Sequence, residues 1–184
     1  MNRRIVIIGF MGSGKTTVAQ ALAQRLGCEM IDLDSFITES EGRSPAGIIE
    51  EDGESAFREI ETRALREVLE KTTHQVIALG GGAWTIAANR ALTTAHDCLS
   101  VWLDAPFELC WQRIQSGGNT VRPLAPDRES ALALYDLRRS TYKLAKLRLE
   151  VNSESTAETL ASELLQRMGI ESKNSSGNAT REET

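Results

Sequence analysis

Ile5-Val6-Ile7-Ile8-Gly9-Phe10-Met11-Gly12-Ser13-Gly14-Lys15-Thr16 decides the fold of this chain. Four apolar residues in a row read as a buried strand. They break directly into G-x-x-x-x-G-K-[ST], and Val18, Leu22 and Leu26 then recur at helical spacing. Strand, glycine-rich loop and helix together form the context in which this motif cradles phosphate. Its glycines let successive backbone N–H groups face one anion. The helix adds its positive N-terminal end. Lys15 can reach the β- and γ-phosphates, and the Thr16 hydroxyl can hold Mg²⁺. The stretch therefore points to a bound nucleoside triphosphate and leaves open what receives the phosphate. A glycine-rich turn matching by chance is the alternative, and both flanks argue against it.

Working outward, four further apolar runs read as strands: Glu29–Asp32, Val76–Leu79, Cys98–Leu103 and Leu147–Val151. With Arg4–Ile8 they make five, and helical patterns separate them. Ala56, Phe57, Ile60, Ala64, Leu65 and Val68 carry the clearest of these. Alternating strand and helix implies a parallel sheet covered on both faces. Ligands then bind beyond the carboxyl ends of the strands. The 184 residues suit a single domain, expected over residues 1–170. Residues 115–128, with Gly117, Gly118, Pro123 and Pro126, read as a mobile lid. The polar tail, residues 171–184, reads as disordered.

Bulk composition narrows the partners. A net charge of −5 argues against nucleic acid as the main ligand. No apolar run is long enough to span a bilayer. The three cysteines, Cys28, Cys98 and Cys110, sit in apolar contexts without C-x-x-C spacing, as expected of a reducing cytoplasmic compartment. His74 and His96, the two histidines, lie far apart and lack ligand spacing, which argues against a zinc site or a histidine-based triad.

The residues just after each strand are the place to look for chemistry. Asp32-Leu33-Asp34 follows the second strand. In an extended segment residues two apart face the same way, so both carboxylates can face the phosphates. One suits Mg²⁺ and the other an attacking hydroxyl. The competing reading makes Asp34 a helix cap. Gly80-Gly81-Gly82 follows the third strand and allows backbone N–H groups to bond a ligand. Asp104 follows the fourth; it reads as a cap ahead of Pro106 in preference to a Walker B acid. Arg58, off the apolar stripe of its helix, reads by position alone as an ordinary surface residue. Arg122, within the lid, is placed to reach phosphate oxygens on closure. Of Arg138 and Arg139, one is expected to face the cleft and the other solvent.

No Asn-Lys-x-Asp run marks guanine specificity, and no Asp-Glu pair precedes the triple glycine. A small P-loop kinase remains. Taken together, Gly9–Thr16, the Asp32/Asp34 pair, Gly53-Glu54-Ser55-Ala56-Phe57-Arg58-Glu59-Ile60-Glu61, Gly80–Gly82, Arg122-Pro123-Leu124 and Arg138 ahead of Tyr142 resemble the shikimate kinase family. The resemblance runs in order from Arg3 to about Gly169. The phosphate loop is shared widely; the Gly-Glu-x-x-Phe-Arg-x-x-Glu run with the triple glycine is far more specific.

That resemblance implies a three-layer α/β fold, with sheet order 2-3-1-4-5, helices on both faces and a mobile lid. It implies ATP-dependent phosphorylation of the 3-hydroxyl of shikimate, on the way to aromatic amino acids, by a monomer. The implied ATP site comprises Gly12, Ser13, Gly14, Lys15, Thr16 and Thr17, with Arg122 closing on the phosphates. Thr16, with Asp32 through water, would hold Mg²⁺. Asp34 would bind ring hydroxyls and act as, or assist, the base, with Lys15 and Arg122 completing the catalytic set. Arg58 and Arg138 would clamp the substrate carboxylate, and Gly81 with its neighbours Gly80 and Gly82 would bond a substrate hydroxyl; residues 33–61 would form the substrate-binding region. Two departures stand out. Ser140-Thr141-Tyr142-Lys143 replaces the usual Leu-Tyr, leaving Arg138 against Arg139 open, although the offset to Tyr142 favours Arg138. Asn152-Ser153-Glu154 occupies the stretch where relatives place a basic residue on adenine, so the adenine contacts are unassigned. A gluconate or nucleoside monophosphate kinase is the rival enzyme; a non-catalytic ATP-binding module is the rival from another class.

Overall fold

The computed structural model describes residues 3–71, 73–116 and 123–170. Its strands are β1 (Ile5–Ile8), β2 (Met30–Asp32), β3 (Val76–Ala78), β4 (Leu99–Asp104) and β5 (Leu147–Glu150). All pair in parallel, in the order β2-β3-β1-β4-β5. This is the expected order, and the strands fall within a residue of the apolar runs. Every residue of β1 and β4 is buried, as expected of central strands covered on both faces; β1 is wholly apolar, and β4 buries Ser100 and Asp104 among its apolar residues. At the edge, β5 buries Leu149 between exposed Arg148 and Glu150.

The helices are α1 (Lys15–Leu26), α2 (Leu33–Glu41), α3 (Pro45–Lys71), α4 (Ala87–Ala95), α5 (Phe107–Ser116), α6 (Arg128–Tyr142) and α7 (Ala157–Arg167). A 3₁₀ turn, Ala83–Thr85, leads into α4. One hydrophobic core joins the described elements, from Ile5 on β1 to Leu165 on α7. Helix α1 packs on α7 and β3, while α3 packs on α2 and α4. Among the described residues, no helix is long and apolar enough to cross a membrane.

Several local features differ from the sequence expectations. Helix α3 begins eleven residues before Ala56 and breaks at Gly53 (φ 88°, ψ 164°); its first two turns do not continue the apolar stripe by which the rest was read. Gln115 and Ser116 belong to α5 and Arg128 to α6, so the connection is shorter than residues 115–128. Gly117, Gly118, Arg122 and the tail, residues 171–184, lie outside the described residues.

Candidate active site

At the carboxyl end of the sheet, a cleft of about 770 Å³ runs from the phosphate loop to α3 and α6. The loop forms one wall. Helix α1 starts directly after Gly14, a residue with no side chain to cap it, which leaves its first turn to an anion. Gly12 has φ 77°, and a Cβ there would lie 2.5 Å from the Cys110 carbonyl oxygen, so the loop can sit this low on α5 only with glycine. Gly12, Gly14, Lys15, Thr16 and Thr17 all line the cleft. Ser13 does not; it is buried beneath the loop. Lys15 Nζ donates to the Phe10 carbonyl at 3.1 Å.

Asp32 and Asp34 both line the cleft, but not for the reason that their spacing suggested. The strand stops at Asp32, and Asp34 already belongs to α2. Asp32, not Asp34, caps that helix: its Oδ1 accepts from the Asp34 and Ser35 backbone N–H groups at 3.1 and 3.2 Å. The other oxygen, Oδ2, accepts from the Thr16 hydroxyl at 2.6 Å. A hydroxyl and a carboxylate oxygen thus meet at the foot of the loop. Two hard oxygen donors beside a phosphate site fit Mg²⁺, which keeps several waters and takes its remaining ligands from substrate phosphates.

The facing wall is built around Arg58. Far from an ordinary surface position, its side chain is mostly buried and lines the cleft. Arg58 Nη1 donates to Glu61 Oε2 at 2.8 Å and Nη2 to Glu54 Oε1 at 3.0 Å, one and the next turn of the same helix. Burial pulls the guanidinium down, and the two carboxylates more than offset it, so its pKa lies above the ordinary value. The triple glycine makes room for this wall. A Cβ on Gly82 would overlap the Arg58 guanidinium, and one on Gly80 would lie 2.6 Å from Asp34 Oδ1 and 2.9 Å from Glu61 Oε1. A Cβ on Gly81 would lie 3.6 Å from Arg138 Nη1.

Of the two adjacent arginines, Arg138 faces the cleft. It is 5% exposed, and burial lowers its pKa, so its guanidinium is desolvated and ready for an anion. It hydrogen-bonds the Tyr142 hydroxyl, whose pKa burial pushes up to about 12 and which donates to the Gly81 carbonyl. Arg139 points instead to Asp104 on β4. Neither reading of Asp104 survives: its buried carboxylate binds Arg139 and Arg148, so it caps no helix, and it does not line the cleft as a Walker B acid would.

Glu61 is the residue that sequence reasoning missed. Its side chain is fully buried, and its Oε1 has no hydrogen-bond partner among the described residues. Burial, opposed by Arg58 and reinforced by the Asp34 charge, raises its pKa from 4.5 to about 7. The signal was present: an acid three residues after Arg58 on a helix is a pairing position. Arg113 on α5 was also missed; it lines the cleft and reaches towards the Gly12 carbonyl at 3.4 Å.

A phosphate loop ending β1, an oxygen pair for a cation and a separate wall of buried guanidinium groups define a P-loop kinase for a small anionic acceptor. The family model described as shikimate kinase matches residues 11–169. A shikimate kinase of Ruegeria pomeroyi is 36% identical over 168 residues, covering 90% of this chain and 84% of the relative. One from Enterococcus faecalis is 37% identical over 167 residues, covering 89% of this chain and 97% of the relative. Among solved structures, the shikimate kinase of Acinetobacter baumannii in complex with shikimate superposes with a TM-score of 0.81 at 35% identity, covering 90% of this chain and 92% of that one. The chain belongs to the shikimate kinase family.

Proposed function

We propose that this chain transfers the γ-phosphoryl group of ATP to the 3-hydroxyl of shikimate, giving shikimate 3-phosphate and ADP. One observation carries the reading: the phosphate loop, the Arg58/Arg138 wall and Asp34 all line a single cleft. Gly12, Gly14, Lys15, Thr16 and Thr17 hold the triphosphate, joined by Ser13 within the loop and by Arg122 from the lid. Arg58 and Arg138 clamp the acceptor carboxylate, where planar forks suit paired hydrogen bonds. Gly80, Gly81 and Gly82 let the acceptor ring approach the backbone closely. Asp34 orients the 3-hydroxyl and takes its proton as the oxygen attacks phosphorus. The bond to the β-phosphate oxygen breaks, and Lys15 meets the charge that develops there. Thr16 and Asp32, the latter through water, would hold Mg²⁺, which when bound offsets phosphate charge. Catalysis on this reading comes from positioning and electrostatics.

The protein is proposed to work as a cytoplasmic monomer, with ATP and shikimate as its partners. A coupled assay of ADP release across shikimate, gluconate and nucleoside monophosphates tests the substrate. Turnover with shikimate alone is expected; turnover with gluconate alone would refute the acceptor while leaving the fold untouched.

A further inference from the structure

The Asp104 cluster lies outside the cleft and has no part in the chemistry above. Its carboxylate is 4% exposed and ends β4. It accepts from Arg139 Nη2 on α6 at 3.1 Å and from Arg148 Nε on β5 at 2.8 Å. Both guanidinium groups lie over the Trp102 ring, 5.6 and 5.5 Å from its centroid. Arg139 Nη1 also donates to the Tyr135 hydroxyl at 2.7 Å, and that hydroxyl donates to the Ala105 carbonyl at 2.9 Å. Helix α6 is thereby fastened along one flank to the end of β4, where Arg148 of β5 meets the same carboxylate.

The other flank of the same helix carries Arg138 into the cleft. Residues 138 and 139 are adjacent, so about 100° of helix separates their directions. A guanidinium on a long side chain holds a carboxylate well only if its helix cannot turn or slide. Tyr142 ties the end of α6 to the Gly81 carbonyl, and Trp102, which faces Tyr142 at 6.1 Å, links that tie to the Asp104 cluster. We infer that Arg139, held by Asp104, is a positioning residue for Arg138, and so sets the affinity for the acceptor carboxylate without touching either substrate.

This inference rests on the shikimate kinase reading, and its test separates the two. Steady-state kinetics of Arg139→Ala should show a shikimate KM raised about tenfold, with kcat and the ATP KM within about twofold of wild type. Because the effect acts through Arg138, adding Arg139→Ala to Arg138→Ala should lower kcat/KM for shikimate no further than Arg138→Ala does alone. Arg139→Lys keeps the charge at Asp104 and should restore most of the affinity. If the alanine variant does not fold, the lysine variant carries the comparison, with a KM raised about threefold. An unchanged shikimate KM, an equal rise in the ATP KM, or losses that multiply in the double variant would each overturn the positioning role. Failure of the wild type to phosphorylate shikimate would overturn the function beneath it.

Discussion

Replacing Glu61 with glutamine should stabilise the protein, and by an amount that grows with pH. The carboxyl is fully buried, holds Arg58 through one oxygen, and shares the space above Gly80 with Asp34. Burial first, then the Asp34 charge, lift its pKa from 4.5 to about 7 against the pull of Arg58. In the unfolded chain the proton leaves near 4.5; in the folded protein it stays until about 7. Between those values the native state binds more protons, so stability falls as pH rises. Below 4.5 both states are protonated and the group contributes nothing to the pH dependence. A shift of that size, at about 1.4 kcal/mol per unit, costs about 3 kcal/mol once the carboxyl is fully ionised. Glutamine keeps the shape and cannot titrate. Urea unfolding of both proteins from pH 5 to pH 8 should show the advantage of Glu61→Gln widening by about 2 to 3 kcal/mol. Titrating groups that do not interact with Glu61 are common to both and cancel. A gap that stays constant with pH, or narrows, would refute the reasoning. The same variant should bind shikimate more weakly, because Arg58 is left with Glu54 as its charged partner, a stability gain at the expense of function.

Three other substitutions separate the walls of the cleft. Asp34→Ala should reduce phosphoryl transfer by at least about 10³-fold while leaving ATP affinity, measured by calorimetry, within about threefold. Gly82→Ala places a methyl group where the Arg58 guanidinium sits, and should raise the shikimate KM by about tenfold or more with the ATP KM unchanged. Arg122→Ala should lower kcat by about 10³-fold in single-turnover measurements, if the lid arginine meets the transferring phosphate as proposed.

Much of the fold was legible because its signals are local. The phosphate loop announces a strand before it and a helix after it, and the buried runs of β1 and β4 are continuous because central parallel strands are covered on both faces. The first turns of α3 were not legible, since they carry no apolar periodicity; buried Ile48, packing against α2 and the Arg43 bridges to Glu51 and Asp52 hold them. At the site, the identity of the residues was easier to read than their geometry. Asp32 and Asp34 share the cleft because a helix begins between them, not because a strand continues through both. Arg58 lies off the apolar stripe of α3, and that is why it can sit between two carboxylates and line the cleft. Asp104 was misread because its partners, Arg139 and Arg148, stand 35 and 44 residues away, and no local spacing reports such a pairing. The resemblance to the family implied a role that periodicity could not: an arginine on a helix face reads as a surface residue until an acceptor is named for it.

The most direct test of the account follows the transferred phosphate itself. Shikimate and ATP are incubated with the purified protein and Mg²⁺, and the product is examined by ³¹P and ¹H NMR. A single new phosphate monoester coupled to the proton at C3, formed in step with ADP, is the expected result. A monoester on another hydroxyl, or ADP with free phosphate and unchanged shikimate, would contradict the proposal that Asp34, Arg58 and Arg138 present the 3-hydroxyl to the phosphate loop.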